Sequence, residues 1–243
     1  MKQLMLLMAV FFVGSVLFSV MKGPSHFRKQ LQMVAEYVGR KGYVLLNPAI
    51  LTMKDQSMPA LMNLAMAGEF VRATTGITDI EPFERGTDRN AFAFVCTLSG
   101  KEVTIFTFGV APPLDKSSSG PQYRVAKIKA AGLPRFSLAR HSVVEKIQKL
   151  TDHLAEIPST SLERPEFKDF FKKYWMKGPD AVAVYAFLTP AKLRFLEAAK
   201  LGGQLETNAE YLVYYESQAR DPRSAAEYDD FIGVVNGLIT NLL

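Results

Sequence analysis

A few residue groups in this chain have types and spacings that bear on chemistry, and each has to be weighed against a structural reading. His26, His141 and His153 are the only histidines, and none lies close to another. If His141 and His153 share a helix, they stand about 18 Å apart along it, too far to hold one metal ion. Met58, Met62 and Met66 recur every four residues. Thioethers in such a row suit Cu(I) or an adaptable binding groove, but no Cys or His accompanies them, and core packing is the reading taken. Cys96 sits in AFAFVCTL, where Phe92, Phe94, Cys96 and Leu98 would share one face of a strand. That pattern describes a buried, inert thiol.

The acidic pairs are no more catalytic. Asp229 and Asp230 are adjacent and diverge by about 100° around a helix. Glu163, Glu166 and Asp169 lie three apart beside Arg164 and Lys168, as on a solvated polar face. A general acid and its partner need a cleft and contrasting environments, which this spacing does not supply. Lys168, Lys172, Lys173 and Lys177 surround Tyr174 and Trp175. They form either a contact for an anionic surface, with Trp175 at the interface, or a sheet segment with solvated lysines. Motifs for a nucleophile elbow, a phosphate loop, a dinucleotide fold or a zinc helix are missing. No catalytic, cofactor-binding or metal-ligating residue is therefore assigned, and no cofactor is expected.

The elements that position these residues read as follows. Pro24 and Ser25 open a helix to about Val38 that Gly39 and Gly42 stop, followed by a short strand from Tyr43 to Leu46. A second helix is expected from Ser57 to Glu69. Ile77–Phe83, Asn90–Leu98, Glu102–Ala111 and Gln122–Ala130 read as strands, with Ser99-Gly100 as a tight hairpin turn. Residues 111–121, APPLDKSSSGP, read as an exposed loop. Leu133–Leu138 reads as an edge strand because of Pro134. A helix follows from about His141 to Glu156, then a helical turn at Pro165–Phe171 and a strand at Lys173–Met176. Asp180 and Thr189-Pro190 start two further helices, the second ended by Gly202-Gly203. Gln204–Thr207 and Glu210–Glu216 form a hairpin about Asn208-Ala209. Asp221-Pro222 starts a final helix with Tyr228, Phe231, Ile232, Val235, Leu238, Ile239 and Leu242 along one side. Strands grouped in the middle and helices at either end make an α+β domain with a largely antiparallel sheet.

One segment speaks of location. Leu4–Met21 holds eighteen residues without a charge. As a helix it spans about 27 Å, close to the thickness of a bilayer core. The exit lacks a small-x-small cleavage site, and no Cys follows for lipidation, so an uncleaved single-pass anchor is favoured over a secretory signal. Lys22, Arg28, Lys29, Arg40 and Lys41 on the C-terminal side outweigh Lys2 and the α-amino group. That balance puts the soluble domain on the cytoplasmic face. The organisation expected is an anchor over 1–22 and a domain over 23–243, with 23–132 and 133–243 as candidate subdomains.

The formal net charge of +5 is unevenly spread. Residues 22–75 and 76–150 each carry +4, and residues 151–243 carry −4. A basic half beside the membrane suits an anionic leaflet. The basic residues are dispersed, with no stripe interleaved with aromatics, so a nucleic-acid partner is excluded. A single cysteine rules out an internal disulfide.

Leu133-Pro134-x-Phe136-x-Leu138, Pro165-Glu166-Phe167, Tyr174, Gly178-x-Asp180 and Leu205-Glu206, within residues 76–243, resemble an uncharacterised family of bacterial membrane-anchored proteins. The resemblance implies a membrane location and carries over no functional residue. The function expected is a membrane-anchored, non-catalytic domain, held in the lipid bilayer by Leu4–Met21, that binds an anionic lipid surface or a membrane protein. The alternatives are an extracytoplasmic domain released by signal cleavage, and a hydrolase or transferase whose site is assembled from dispersed residues.

Overall fold

Central strands with side chains buried on both faces build the sheet, and caps placed beside apolar stripes build the helices around it. A computed structural model describes residues 29–46, 73–80, 83, 87–109, 122–141, 160–161, 164–218 and 224–243. Among these residues the strands are β1 (Val44–Leu45), β2 (Thr87–Leu98), β3 (Lys101–Gly109), β4 (Gln122–Lys129), β5 (Phe136–Arg140), β6 (Thr160–Ser161), β7 (Tyr174–Gly178), β8 (Gln204–Thr207) and β9 (Tyr211–Gln218). They form one sheet in the order β1-β2-β3-β4-β9-β8-β5-β7-β6. Every neighbouring pair is antiparallel. The seam at its centre pairs β4 with β9, from Gln122↔Gln218 to Lys129↔Tyr211. The α+β class and the antiparallel sheet are as the sequence predicts.

Helices cover one face. Among the described residues they are α1 (residues 29–41), α2 (Lys168–Phe171) after a 3-10 turn at Pro165–Phe167, α3 (Ala181–Phe187), α4 (Pro190–Ala199) and α5 (Ala225–Leu242). All seven apolar residues of the expected α5 stripe are buried. They meet Phe94, Ile105, Ala126, Leu138, Leu205 and Tyr214 from the sheet in the larger core. Burying each such aliphatic or aromatic side chain stabilises the fold by about 1.5–3 kcal/mol. The opposite face carries a smaller core, in which Ala73, Ile77, Ile80 and Phe83 pack on Phe106, Phe108, Tyr123, Val125, Val213 and Tyr215.

The structure corrects several sequence expectations. Of the strand expected at Ile77–Phe83, the described residues 77–80 and 83 form turns instead, with Ile77 N–H donating to Thr74 O, Ile80 N–H to Ile77 O and Phe83 N–H to Ile80 O. The three-residue spacing of its apolar side chains fits such turns and puts them all on one side. Strand β5 is interior, between β7 and β8, because Pro134 lies just before the ladder and removes no donor from it. Helix α1 continues through Gly39, where nothing crowds the backbone, and stops before Gly42 at φ +69. Helix α4 ends on Lys200, in the left-handed region at φ +49, before Gly202 is reached. Helix α5 is capped by Ser224, whose hydroxyl accepts from Glu227 N–H, rather than by Asp221. The hairpin turn at Ser99-Gly100, both at positive φ, is as predicted. So are the caps at Asp180, which accepts from Ala183 N–H, and Thr189, which accepts from Lys192 N–H.

The run Leu4–Met21, the expected helix at Ser57–Glu69, the 111–121 loop and most of the 141–156 helix lie outside the described residues. No helix among the described residues is long and apolar enough to cross a membrane.

Candidate functional site

The first described element after the uncharged run is α1. Its buried residues are Leu31, Val34, Tyr37 and Val38, while Gln32, Glu36 and Arg40 face solvent. Helical periodicity thus puts one side into the larger core. The Tyr37 ring stacks on Tyr228 at 5.2 Å and meets Tyr43 and Phe94 edge-on, each at 6.2 Å. Its hydroxyl donates to Asp229 Oδ1 at 2.9 Å, and Lys41 Nζ reaches the same oxygen at 2.8 Å. Those two donors, Lys41 first, hold the Asp229 carboxyl below its ordinary range. The Asp229 contact raises the Lys41 ammonium, and burial, followed by the Asp229 bond, raises the Tyr37 hydroxyl. The acidic pair Asp229/Asp230 is thereby divided, with Asp229 fastening α1 to α5.

A second charged group lies deeper. Arg124 on β4 faces the helices in line with Ala126 and Ile128, with 9% of its side chain exposed. Its Nη1 donates to the Glu227 carbonyl oxygen at 2.6 Å. Glu216 and the Glu227 carboxylate lie at 3.8 and 3.7 Å, and the guanidinium sits 5.5 Å from the Tyr228 ring and 5.3 Å from the Phe231 ring. Burial pushes the Glu216 carboxyl up while Arg124 pulls it down. The arrangement joins the central seam of the sheet to the first turns of α5.

On the opposite face, Gln204 bonds Ser137 and Glu206, and the Tyr215 hydroxyl donates to Glu206 Oε1 at 2.6 Å. Close by, side chains clamp the 73–80 turns onto the sheet. Lys127 donates to Thr75 O at 2.9 Å, Arg135 to Asp79 O at 2.9 Å, and Asn208 to Gly76 O at 3.0 Å and Asp79 Oδ1 at 3.1 Å. Asn208 Oδ1 also accepts from the Glu210 and Tyr211 amides, closing the β8–β9 turn.

The residues singled out in the sequence are scattered over these faces. Cys96 is buried in the larger core, and burial pushes its thiol up to about 12. That environment suits packing, not nucleophilic attack. His141 Nε2 lies 3.1 Å from Phe171 O. Glu166 and Asp169 are exposed, and Asp169 pairs with Lys172 at 2.8 Å. The lysine run is split: Lys173 binds Glu197 at 2.9 Å, whereas Lys177 lies over the Trp175 ring at 4.6 Å. Tyr174 turns into the larger core and stacks on Phe170. His26, His153, Glu163 and Met58, Met62 and Met66 lie outside the described residues. Among the described residues no group of three or more His, Cys, Asp or Glu is placed to hold a metal ion.

Sequence reasoning missed Arg124 and the Asn208 clamp. The signal for the first was present, since QYRVAKIK puts an arginine at an inward position of an alternating strand. No family model and no curated protein matches the chain. Among solved structures, the chain is similar to the crystal structure of the mycobacterial trehalose monomycolate transport factor A, TtfA. The TM-score is 0.48 and the identity 10%, over 88% of this chain and 95% of that one.

Proposed function

We propose that the chain is a membrane-anchored, non-catalytic domain that binds a protein or lipid partner at the membrane surface. The observation that carries this reading is the junction between Leu4–Met21 and α1. At most residues 22–28 connect the uncharged run to a helix whose apolar side is sunk in the larger core. A seven-residue connection reaches about 25 Å at most. A bilayer that holds the run therefore keeps the whole domain at its headgroups. The basic residues Lys22, Arg28, Lys29, Arg40 and Lys41 favour the cytoplasmic face. The family that residues 76–243 resemble belongs to the same proposal.

The non-catalytic part rests on the use made of the candidate groups. The Cys96 thiol is held protonated, Asp229 and Asp169 are tied up with lysines, and Arg124 joins strand to helix. The test is alkaline carbonate extraction of membranes from cells making the full chain, paired with a C-terminal reporter active only in the cytoplasm. A chain that stays in the membrane pellet with an active reporter is the expected result. Release of the intact chain by carbonate refutes the anchor. A silent cytoplasmic reporter with an active extracytoplasmic one refutes the orientation.

A further inference from the structure

We propose that Glu216 is a proton-operated latch: when its carboxyl is neutral, Arg124 is left to Glu227, and the first turns of α5 are drawn more tightly onto the sheet. The latch works wherever the chain sits, and so goes beyond the membrane-anchored reading.

Two carboxylates compete for one cation across the joint between sheet and helix. Glu216 belongs to β9, Glu227 to the first turn of α5, and Arg124 on β4 meets both. A charge-assisted bond from a guanidinium closes to about 2.7–2.9 Å. At 3.8 Å for Glu216 and 3.7 Å for Glu227, neither carboxylate has closed that far, whereas the Glu227 carbonyl oxygen, at 2.6 Å, is in full contact. Arginine stays charged at every working pH, so the protons on the two acids decide how its charge is divided. With both acids ionised, two negative charges face one positive charge and repel each other across the joint. A proton on Glu216 removes the repulsion and the competition together.

The surroundings prepare Glu216 for that proton. Among the described residues, the titratable groups that face it are Arg124 from β4 and Tyr214 from its own strand, with Glu227 of α5 beyond Arg124. Burial raises its carboxyl against the pull of Arg124 and then of the Tyr214 bond. The Tyr214 hydroxyl donates to Glu216 Oε2 at 3.4 Å, and burial, followed by the Glu216 charge, pushes it up, so it stays a donor throughout. The Glu216 side chain is 28% exposed, which leaves it open to protons from solvent. A carboxyl whose pKa is raised in the closed state takes its proton there first. The closed state therefore gains as the pH falls through the raised value, and the gain is complete below the ordinary glutamate value. Each unit between the two values is worth about ten-fold in the opening equilibrium. The effect reaches α1 as well, because Tyr228 stacks on Tyr37 and Asp229 holds Lys41 and Tyr37.

Hydrogen exchange read by mass spectrometry tests the latch on the full chain in detergent micelles, at mildly acidic and at neutral pH. Rates are divided by the intrinsic rate at each pH. In acid, residues 225–231 of α5 and 34–41 of α1 should be several-fold better protected than at neutral pH. Glu216→Gln, which keeps the shape without the charge, should show the higher protection at both pH values. Glu227→Gln removes the competitor on the helix, so acid should no longer tighten α5, a result that a merely structural Glu216 would not produce. Equal protection of the parent at the two pH values overturns the proposal, as does a full acid response that survives in Glu216→Gln. The parent comparison needs no variant, so misfolding of either one would not rescue the idea. Exchange in micelles is also indifferent to carbonate extraction, so failure of the latch and failure of the anchor are separate results.

Discussion

Replacing Arg124 with methionine removes a cation from the seam of the sheet while keeping most of the stem against Tyr228 and Phe231. The bond to the Glu227 carbonyl, donated by a charged group, is worth about 1.5–3 kcal/mol. Two rings facing the guanidinium add about 1 kcal/mol. Glu216, 28% exposed, then loses its cation. Stranding a largely buried carboxylate brings the total to about 3–5 kcal/mol. The Glu227 carboxylate is 37% exposed and, being screened, adds little.

The pH dependence follows from Glu216. Its carboxyl is already raised by burial, and losing Arg124 raises it further. An acid whose pKa is raised in the folded state costs stability at neutral pH, because the unfolded chain ionises more readily. The cost fades as the pH falls toward the ordinary glutamate value of about 4.3. The deficit of Arg124→Met therefore shrinks on acidification, while the hydrogen-bond and ring contributions persist. Urea unfolding of the full chain in detergent, followed by Trp175 fluorescence, reads the deficit. In heating experiments a loss of about 3–5 kcal/mol lowers Tm by roughly 6–15 °C in a domain of this size. Adding Glu216→Gln should recover part of it. A deficit below about 1 kcal/mol at pH 7, a deficit that grows with acid, or strict additivity of the two substitutions would each refute the reasoning.

Two further outcomes are expected. Asn208→Ala removes both bonds to the 73–80 turns and both to the β8–β9 turn. It should destabilise the chain by about 2–3 kcal/mol and open residues 73–80 to proteolysis, which mass spectrometry of limited digests would detect. The Cys96 thiol should resist an aromatic disulfide reagent at pH 8 in the folded chain and react at once in urea, and fast reaction without urea would show that it is not shielded.

Local features were read well from the sequence, and long-range ones were not. Asp180 and Thr189 were recognisable because a cap and its amide lie three residues apart. The α5 stripe and the β8–β9 hairpin are likewise complete within a few turns of chain. Pro134 on its own points to an edge for strand β5, whereas the partner β8 lies more than sixty residues away and leaves no local trace. Ile77, Ile80 and Phe83 are apolar enough for a strand, and only the sheet beneath them shows that they cover it. Lys200 takes the left-handed end of α4 although two glycines stand nearby, a choice that propensity alone would not make.

The seam between β4 and β9 bears on how the chain is made. Gln122 pairs with Gln218, so the middle of the sheet waits for a strand almost a hundred residues downstream. At a synthesis rate of about 5–20 residues per second, β4 spends roughly 5–20 seconds as an open edge. During that interval Tyr123, Val125, Ala126 and Ile128 line a strand whose free backbone groups can recruit another chain. Helix α5, which covers that strand, follows β9 in the chain and so emerges later still. Nascent chains should therefore be at greatest risk of aggregation between the completion of β4 and the emergence of β9, and a chaperone that binds within that window would raise the yield of folded protein most.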